Sequence, residues 1–393
     1  MRQGEGDRFF SPVDLIMAGQ IYLLFSSDYE LYFGENYLSE REVLIEPTEQ
    51  ILRAFEEEGI PMTLFADVAS VWRYDALGVK SDYVLLFENQ LRRAIRQGHD
   101  VQLHLHPHWM TSRFDGKKWE MDESKFKLSE LGYGVRKNQS LECADEFILR
   151  GKEYLEKLLR PVDFSYQCIA FRAGGYGIQP DDKKLIRSLL SAGFMIDSSI
   201  VPGMCVKSNV NEIDFRRIPS KLNYRMSSRY GIYEEDNLGI FEIPITAYSE
   251  SFLETLSHRF SMLKIFINRI KCKKFTALSE FQPRGKGIQN NSSIEHVASF
   301  LRPSLFLLEF SGLNVDVQRM VIGTNKLIKS NLKESFDLYL SASCHPKNVF
   351  LPTIQAIRKF WRSMVDIYGP NIKAITFQEA AKKMEAEAIR SER

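Results

Sequence analysis

The first regular stretch of the chain is Gln20-Ile21-Tyr22-Leu23-Leu24-Phe25-Ser26-Ser27-Asp28, a nearly continuous apolar run that ends in polar residues. Such a run predicts a strand buried on both faces, as in a parallel sheet or barrel. Residues 47–55 start an amphipathic helix that Gly59 closes. Residues 61–66 predict the next strand, with Asp67 just beyond it, and 83–97 predict a helix ending at Gly98. Val101, Leu103 and Leu105 then alternate with Gln102, His104 and His106, which is the period of a strand. Strand, helix, strand, helix, strand in this order implies a parallel sheet with right-handed crossovers.

Residues 111–138 are polar and are expected to loop over the strand ends. A helix is expected at 143–159, a strand at 168–172, a helix at 181–190 and a strand at 194–199. Between them, Ala173-Gly174-Gly175-Tyr176-Gly177 permits positive φ and close backbone approach to a ligand. No lysine-serine pair follows, which argues against a phosphate cradle. Past Pro202 the pattern is irregular. Residues 241–245 predict a short strand, and Pro244 argues for an edge position. Residues 282–293, rich in Gly, Asn and Ser, predict a mobile loop. Regular structure resumes with a strand at 305–310, a helix at 315–330 and a strand at 338–344 leading to His345-Pro346. A helix at 352–368, a strand at 374–377 and a terminal helix complete the pattern. No repeat or clear linker interrupts it, so 1–393 is expected to form one α/β domain with an insertion at about 203–300.

Composition narrows the reading only slightly. A formal net charge of +1 gives no global reason to expect a nucleic-acid partner. The 5 cysteines are scattered without CxxC spacing, which fits a reducing compartment better than a disulfide framework. The first residues lack the apolar run of a secretory signal, and no apolar stretch is long enough to span a bilayer. The expected location is therefore the cytoplasm. Residues 252–274 alternate apolar and basic. If helical, Phe260, Leu263, Phe266, Ile267 and Ile270 fall largely on one face, with Lys264, Lys271, Lys273 and Lys274 flanking it or lying beyond. Such a helix suits the headgroup layer of an anionic membrane. Equally, it could pack its apolar face on the barrel and leave its lysines in water.

The chemistry concentrates in Gly98-His99-Asp100-Val101-Gln102-Leu103-His104-Leu105-His106-Pro107-His108-Trp109, which holds four of the chain's 7 histidines. His104 and His106 project to one side of their strand, Pro107 ends it, and His108 lies on the loop that follows. Crowded imidazoles need partners for their ring nitrogens, and a divalent metal supplies them. An HxH pair (His104, His106) and an HxxxH pair (His104, His108) both fit, and spacing does not choose between them. The other strand ends carry Asp28 and Glu30, Asp67, Arg172, Asp197 and His345. In a barrel these converge on one rim. A carboxylate with two imidazoles makes a hydrolytic metal site open to water and substrate. A second carboxylate can serve as general base and a separate histidine as general acid. Arg172 can hold that base ionised.

In this order and spacing the chain resembles the polysaccharide deacetylase family, the NodB-homology or carbohydrate esterase family 4 domain. The family's Thr-Phe-Asp-Asp falls on Ser26-Ser27-Asp28, and its Gly-His-Glu/Asp start with His-x-x-x-His falls on Gly98-His99-Asp100, His104 and His108. Its Arg-Pro-Pro-Tyr-Gly falls on Arg172 through Tyr176-Gly177 with one extra residue. Its Asp-Ser falls on Asp197-Ser198, and its late Leu-x-His falls near His345. The resemblance covers about residues 20–200 and 335–385. The forms Asp28-Tyr29-Glu30 and His104-Leu105-His106-Pro107-His108-Trp109 resemble a subgroup found with bacterial O-antigen and surface-glycan synthesis, the WbmS-like deacetylases.

The resemblance implies a distorted (β/α) barrel of about seven strands. It also implies a hydrolase that removes the N-acetyl group from an acetamido sugar of a surface-polysaccharide precursor. One divalent metal, zinc with cobalt or nickel as alternatives, would be held by Glu30, His104 and His108. The usual second aspartate is Tyr29 here, which is why Glu30 takes the ligand role. Asp28 would be the base, oriented by Arg172, and the Tyr176 N–H would help stabilise the oxyanion. His345 would protonate the leaving amine, assisted by Asp197. His106, Trp109 and Asp67 would stand behind the ligands or touch substrate. Three rival readings are an amidase for a non-sugar C–N bond on the same barrel, an amidohydrolase built on His104 and His106, and a non-catalytic glycan-binding module.

Overall fold

Strand β1 (Ile21–Tyr29) is buried on both faces along its whole length, as its apolar run requires. Its alternate residues go to different places. Ile21, Leu23, Phe25 and Tyr29 join the large core beneath the helices, whereas Tyr22 and Leu24 pack inside the sheet with Phe65, Ile196, Ile243 and Tyr339. The period of two that lines the interior with Tyr22 and Leu24 also places Ser26, Asp28 and Glu30 further along the same side. The computed structural model describes residues 19–33, 35–134, 142–271, 284–286, 304–313, 315–332 and 337–391.

Around β1 stand β2 (Thr63–Asp67), β3 (Asp100–Leu105), β4 (Ala170–Ala173), β5 (Ile196–Asp197), β6 (Ile240–Glu242) and β7 (Leu338–Cys344). They pair in parallel in the order β7-β1-β2-β3-β4-β5-β6. Just past β6, Ile245 bridges in parallel to Ser341 of β7, and the Thr246 N–H donates to the Ser341 carbonyl at 3.0 Å. These seven strands thus form a distorted barrel whose last seam is a single bridge. The other end of the interior is plugged by the C-terminal helix Phe377–Ser391. Its Phe377 stacks edge-on to Phe65 at 5.0 Å, and Ala380, Ala381 and Met384 join the same cluster.

Helices cover the outside. Behind β3 lies helix Ala144–Leu159, in which Gly151 permits close approach. A Cβ there would sit 2.8 Å from Leu103 Cδ1. Several elements depart from the sequence expectations. The strand at 241–245 is interior, since β6 pairs with β5 on one side and Tyr224–Ser227 on the other. Pro244 is tolerated because the pairing donors are its neighbours: Ile243 N–H to Asp197 O and Ile245 N–H to Ile200 O, both 2.9 Å. Helix Val68–Ala76 was not anticipated from the pattern. The strand expected at 305–310 breaks into Leu305–Leu307, which pairs with Ala247–Ser249, and Glu309–Phe310, which pairs with β7. The strand expected at 374–377 is Ile372–Ala374, and Phe377 opens the last helix.

Part of the expected insertion extends the main sheet, with Tyr224–Ser227 and Gly231–Glu235 continuing it beyond β6. The mobile loop expected at 282–293 lies outside the described residues except for 284–286, where Gly285–Lys286 pairs with Glu35–Asn36. Among the described residues no helix is long and apolar enough to cross a membrane.

Candidate metal centre and active site

Glu30, His104 and His106 meet at the C-terminal end of the barrel. His104 Nε2 and His106 Nε2 lie 2.9 and 2.8 Å from Glu30 Oε2, and 3.1 Å from each other. All three residues are buried. His104 Nδ1 lies 2.8 Å from the Arg172 carbonyl, which can only accept, so the ring proton belongs on Nδ1 and Nε2 presents a lone pair. A lone pair facing a carboxylate oxygen at this distance is unfavourable unless a cation or proton lies between them. Tetrahedral bonds of about 2.0–2.1 Å would space ligand atoms by about 3.3 Å, close to the separations found. The donor set and its spacing therefore fit a divalent metal. The other oxygen of Glu30 is occupied by the buried Lys347, whose Nζ donates to Oε1 at 2.7 Å and to Leu31 O at 3.0 Å. Burial opposes the charge on Glu30, but Lys347 foremost, with both imidazoles, holds it well below the usual carboxylate range.

His108 stands outside this cluster. The short helix Pro107–Met110 turns its ring aside, 5.1 Å from that of His106 between ring centroids. Neither of its ring nitrogens has a hydrogen-bond partner, and burial pushes its pKa well below the ordinary histidine value. The group of ligand atoms that the fold brings together therefore has the HxH spacing. Strand alternation carries His106 back over Glu30, whereas Pro107 starts a turn that takes His108 away.

Asp28 lies next to the cluster. Arg172, itself fully buried, donates from Nη1 to Asp28 Oδ1 at 2.6 Å. The rest of its guanidinium is held by Ser26 Oγ, Ser198 Oγ and Ser198 O at 2.9–3.0 Å, over the Phe65 ring at 4.1 Å. Burial raises the Asp28 carboxyl, but Arg172, then His104 and His345, bring it well below the carboxylate range. Opposite, His345 Nε2 stands 3.4 Å from Asp28 Oδ2 and 3.7 Å from Glu30 Oε1. Its Nδ1 faces Glu309 at 3.4 Å. Burial disfavours the imidazolium, yet the neighbouring carboxylates of Asp28 and Glu309 push its pKa up to about 10. His345 is thus held as a charged donor.

Glu309, not Asp197, is the acid behind His345. Asp197 turns instead to Ser199, accepting from its N–H at 3.0 Å and its Oγ at 2.8 Å, and is the register partner of Glu242. Burial raises both acids. Glu242 is raised well above its ordinary range, by burial and then by Asp197, so the pair is favoured with a proton between its members. Asp67 braces the histidine strand, accepting from the His106 N–H at 3.2 Å and from Trp109 Nε1 at 2.9 Å. Tyr176 sits at φ 59°, a strained conformation for a residue with a side chain. Its phenol is raised by burial and then by the charges of Glu309 and Asp28.

Three side chains at the site escaped the sequence reading. Lys347 follows His345 by two residues, just past the tip of the same strand. Glu309 is the polar tip of a strand that the apolar pattern did locate. Phe33 lies over the histidines, its ring 3.9 Å from that of His106 and 4.2 Å from Lys347 Nζ, and nothing in its neighbourhood of the sequence marks it.

No family model and no curated protein matches the sequence. Solved structures do match in three dimensions. A Mycobacterium smegmatis protein assigned as a polysaccharide deacetylase aligns with TM-score 0.45 and 11% identity, over 96% of this chain and 95% of that one. The allantoinase PuuE aligns with TM-score 0.44 and 12% identity, over 97% and 98%. A Pseudomonas aeruginosa PAO1 protein assigned as a polysaccharide deacetylase aligns with TM-score 0.42 and 10% identity, over 93% and 91%.

Proposed function

We propose that this protein is a metal-dependent N-deacetylase acting on an acetamido sugar of a bacterial surface-polysaccharide precursor, in the cytoplasm. The observation that carries the reading is the arrangement of Glu30, His104 and His106 beside Asp28, which pairs with Arg172, and His345, which stands between Asp28 and Glu309. A divalent metal, zinc in this proposal, would supply Lewis acidity for the amide carbonyl and a water of lowered pKa. Asp28 takes the proton of the attacking water, and Arg172 keeps that carboxylate ionised and aimed. The Tyr176 N–H helps bind the oxyanion. His345 gives its proton to the amide nitrogen, so the product leaves as an amine with acetate as co-product. The acetamido-sugar and surface-glycan parts of the proposal rest on the motif resemblance.

The test is acetate release by the purified protein from a panel of N-acetylated sugars and sugar nucleotides. Release should stop with a chelator and return with zinc. Turnover of cyclic ureides or imides in place of every acetamido sugar would contradict the substrate class while leaving the metal centre intact.

A further inference from the structure

The helix Phe252–Lys271 meets the body of the protein through polar groups. Lys326 Nζ donates to Glu254 at 2.6 Å, Ser304 N–H donates to Thr255 Oγ1 at 2.8 Å, and Ser261 Oγ donates to Asp316 at 3.0 Å. Lys326 lies within helix Val317–Asn331, and Asp316 caps its start, so the helix Phe252–Lys271 runs antiparallel to that helix. Asp316 comes shortly after Glu309–Phe310, the strand beside the tip of β7 and His345. The helix therefore climbs towards the end of the barrel that holds the metal centre. Beyond it, Arg284 returns to the same rim, donating to Pro346 O at 3.2 Å and Val349 O at 2.9 Å.

The side of the helix Phe252–Lys271 away from these contacts carries apolar side chains open to solvent: Phe252 is 54% exposed, Leu253 76% and Phe260 58%. Three such side chains within so short a stretch are unusual for a helix that faces only water. Helical register places positions 253, 256, 260, 263, 267 and 270 on one face, and the sequence fills all of them with Leu, Phe or Ile. After Glu254 the helix contains no acidic residue, and the same register places Lys264 and Lys271 beside this face. A second copy of this face would bring those positive charges together, whereas an anionic surface complements them.

We propose that the outer face of the helix Phe252–Lys271 docks on the anionic surface of a lipid bilayer. The apolar stripe enters the headgroup layer, and the basic residues meet lipid phosphates. Docking this way sets the barrel end that carries the metal centre beside the membrane. The proposal stands on the exposed face and its charge, and holds or fails independently of the deacetylase reading.

The test is flotation of the full chain with phosphatidylglycerol-containing vesicles, with pure phosphatidylcholine vesicles as control. Binding should need the anionic lipid and weaken with salt. Leu253→Ser and Phe260→Ser, both at exposed sites, should each cost about tenfold in vesicle affinity. Lys264→Glu and Lys271→Glu should each cost about fivefold or more. Circular dichroism should be unchanged in all four. No flotation with anionic vesicles at low salt overturns the proposal. So does binding that survives the two serine substitutions, which would mark a polyanion patch only. A dimer in sedimentation that Phe260→Ser disperses would show that a second copy covers the face, and would also overturn it.

Discussion

Asp28 and Glu30 are two carboxylates two positions apart, and their surroundings give them different work. Arg172 saturates one oxygen of Asp28, leaving the other towards His345, while Lys347 takes one oxygen of Glu30 and leaves the other to the imidazoles. Asp28→Asn should therefore keep bound metal and lower kcat by about 10²–10⁴, the range for a lost general base. Turnover near wild type with metal retained would remove that role. Glu30→Gln, His104→Ala and His106→Ala should each empty the site on elemental analysis of the purified protein, whereas His108→Ala should stay loaded. The residue types at these positions could be read from the sequence, because each stands at the tip of an apolar run. Which histidine joins His104 could not be read there. That depends on the turn at Pro107, and one turn more or less of backbone reverses the answer. The acid behind His345 was equally hidden, since Glu309 reaches it through the pairing of Glu309–Phe310 with β7 across a long sequence separation.

At the scale of elements, strands locate the chemistry and the loops after them fix its aim. Tyr29 illustrates the strand's part. Its hydroxyl donates to Gln90 Oε1 at 2.6 Å on the helix side, so the residues flanking it, Asp28 and Glu30, both face the interior. Gly174, in the turn after β4, illustrates the loop's part. A Cβ there would lie 2.5 Å from Leu105 O and 2.6 Å from the His106 ring. Gly174→Ala should displace His106 and weaken metal affinity by about 10–100-fold, the usual cost of disturbing a ligand's support. Its circular dichroism should match wild type. Unchanged affinity in a titration with a chelator-buffered metal would show that the ring has room to move. Strands and long helices were legible because their periods are strong. Pro244 misled because its neighbours, Ile243 and Ile245, supply the ladder donors, and a pattern rule cannot see which N–H a sheet needs.

For the molecule as a whole, the barrel has an apolar half around Tyr22, Leu24 and Phe65 and a charged half around Asp28 and Arg172. Charge buried so deeply ties stability to pH. Asp197 and Glu242 both have raised pKa values in the fold, so the native state binds protons more tightly than the unfolded chain. The stability this pair contributes is present at low pH and is lost as pH rises from the ordinary carboxylate range through the raised values. Glu242→Gln should therefore flatten the fall in Tm as pH rises out of the ordinary carboxylate range, and a Tm profile of unchanged slope would count against a shared proton. All of these roles depend on a divalent metal held by Glu30, His104 and His106 at the open end of this barrel, which we propose. Anomalous diffraction at the zinc edge from crystals grown with zinc tests it most directly. One peak is expected within about 2.0–2.2 Å of Glu30 Oε2, His104 Nε2 and His106 Nε2. A peak bound by His104 and His108 with His106 turned away, or no peak at the site, would contradict it.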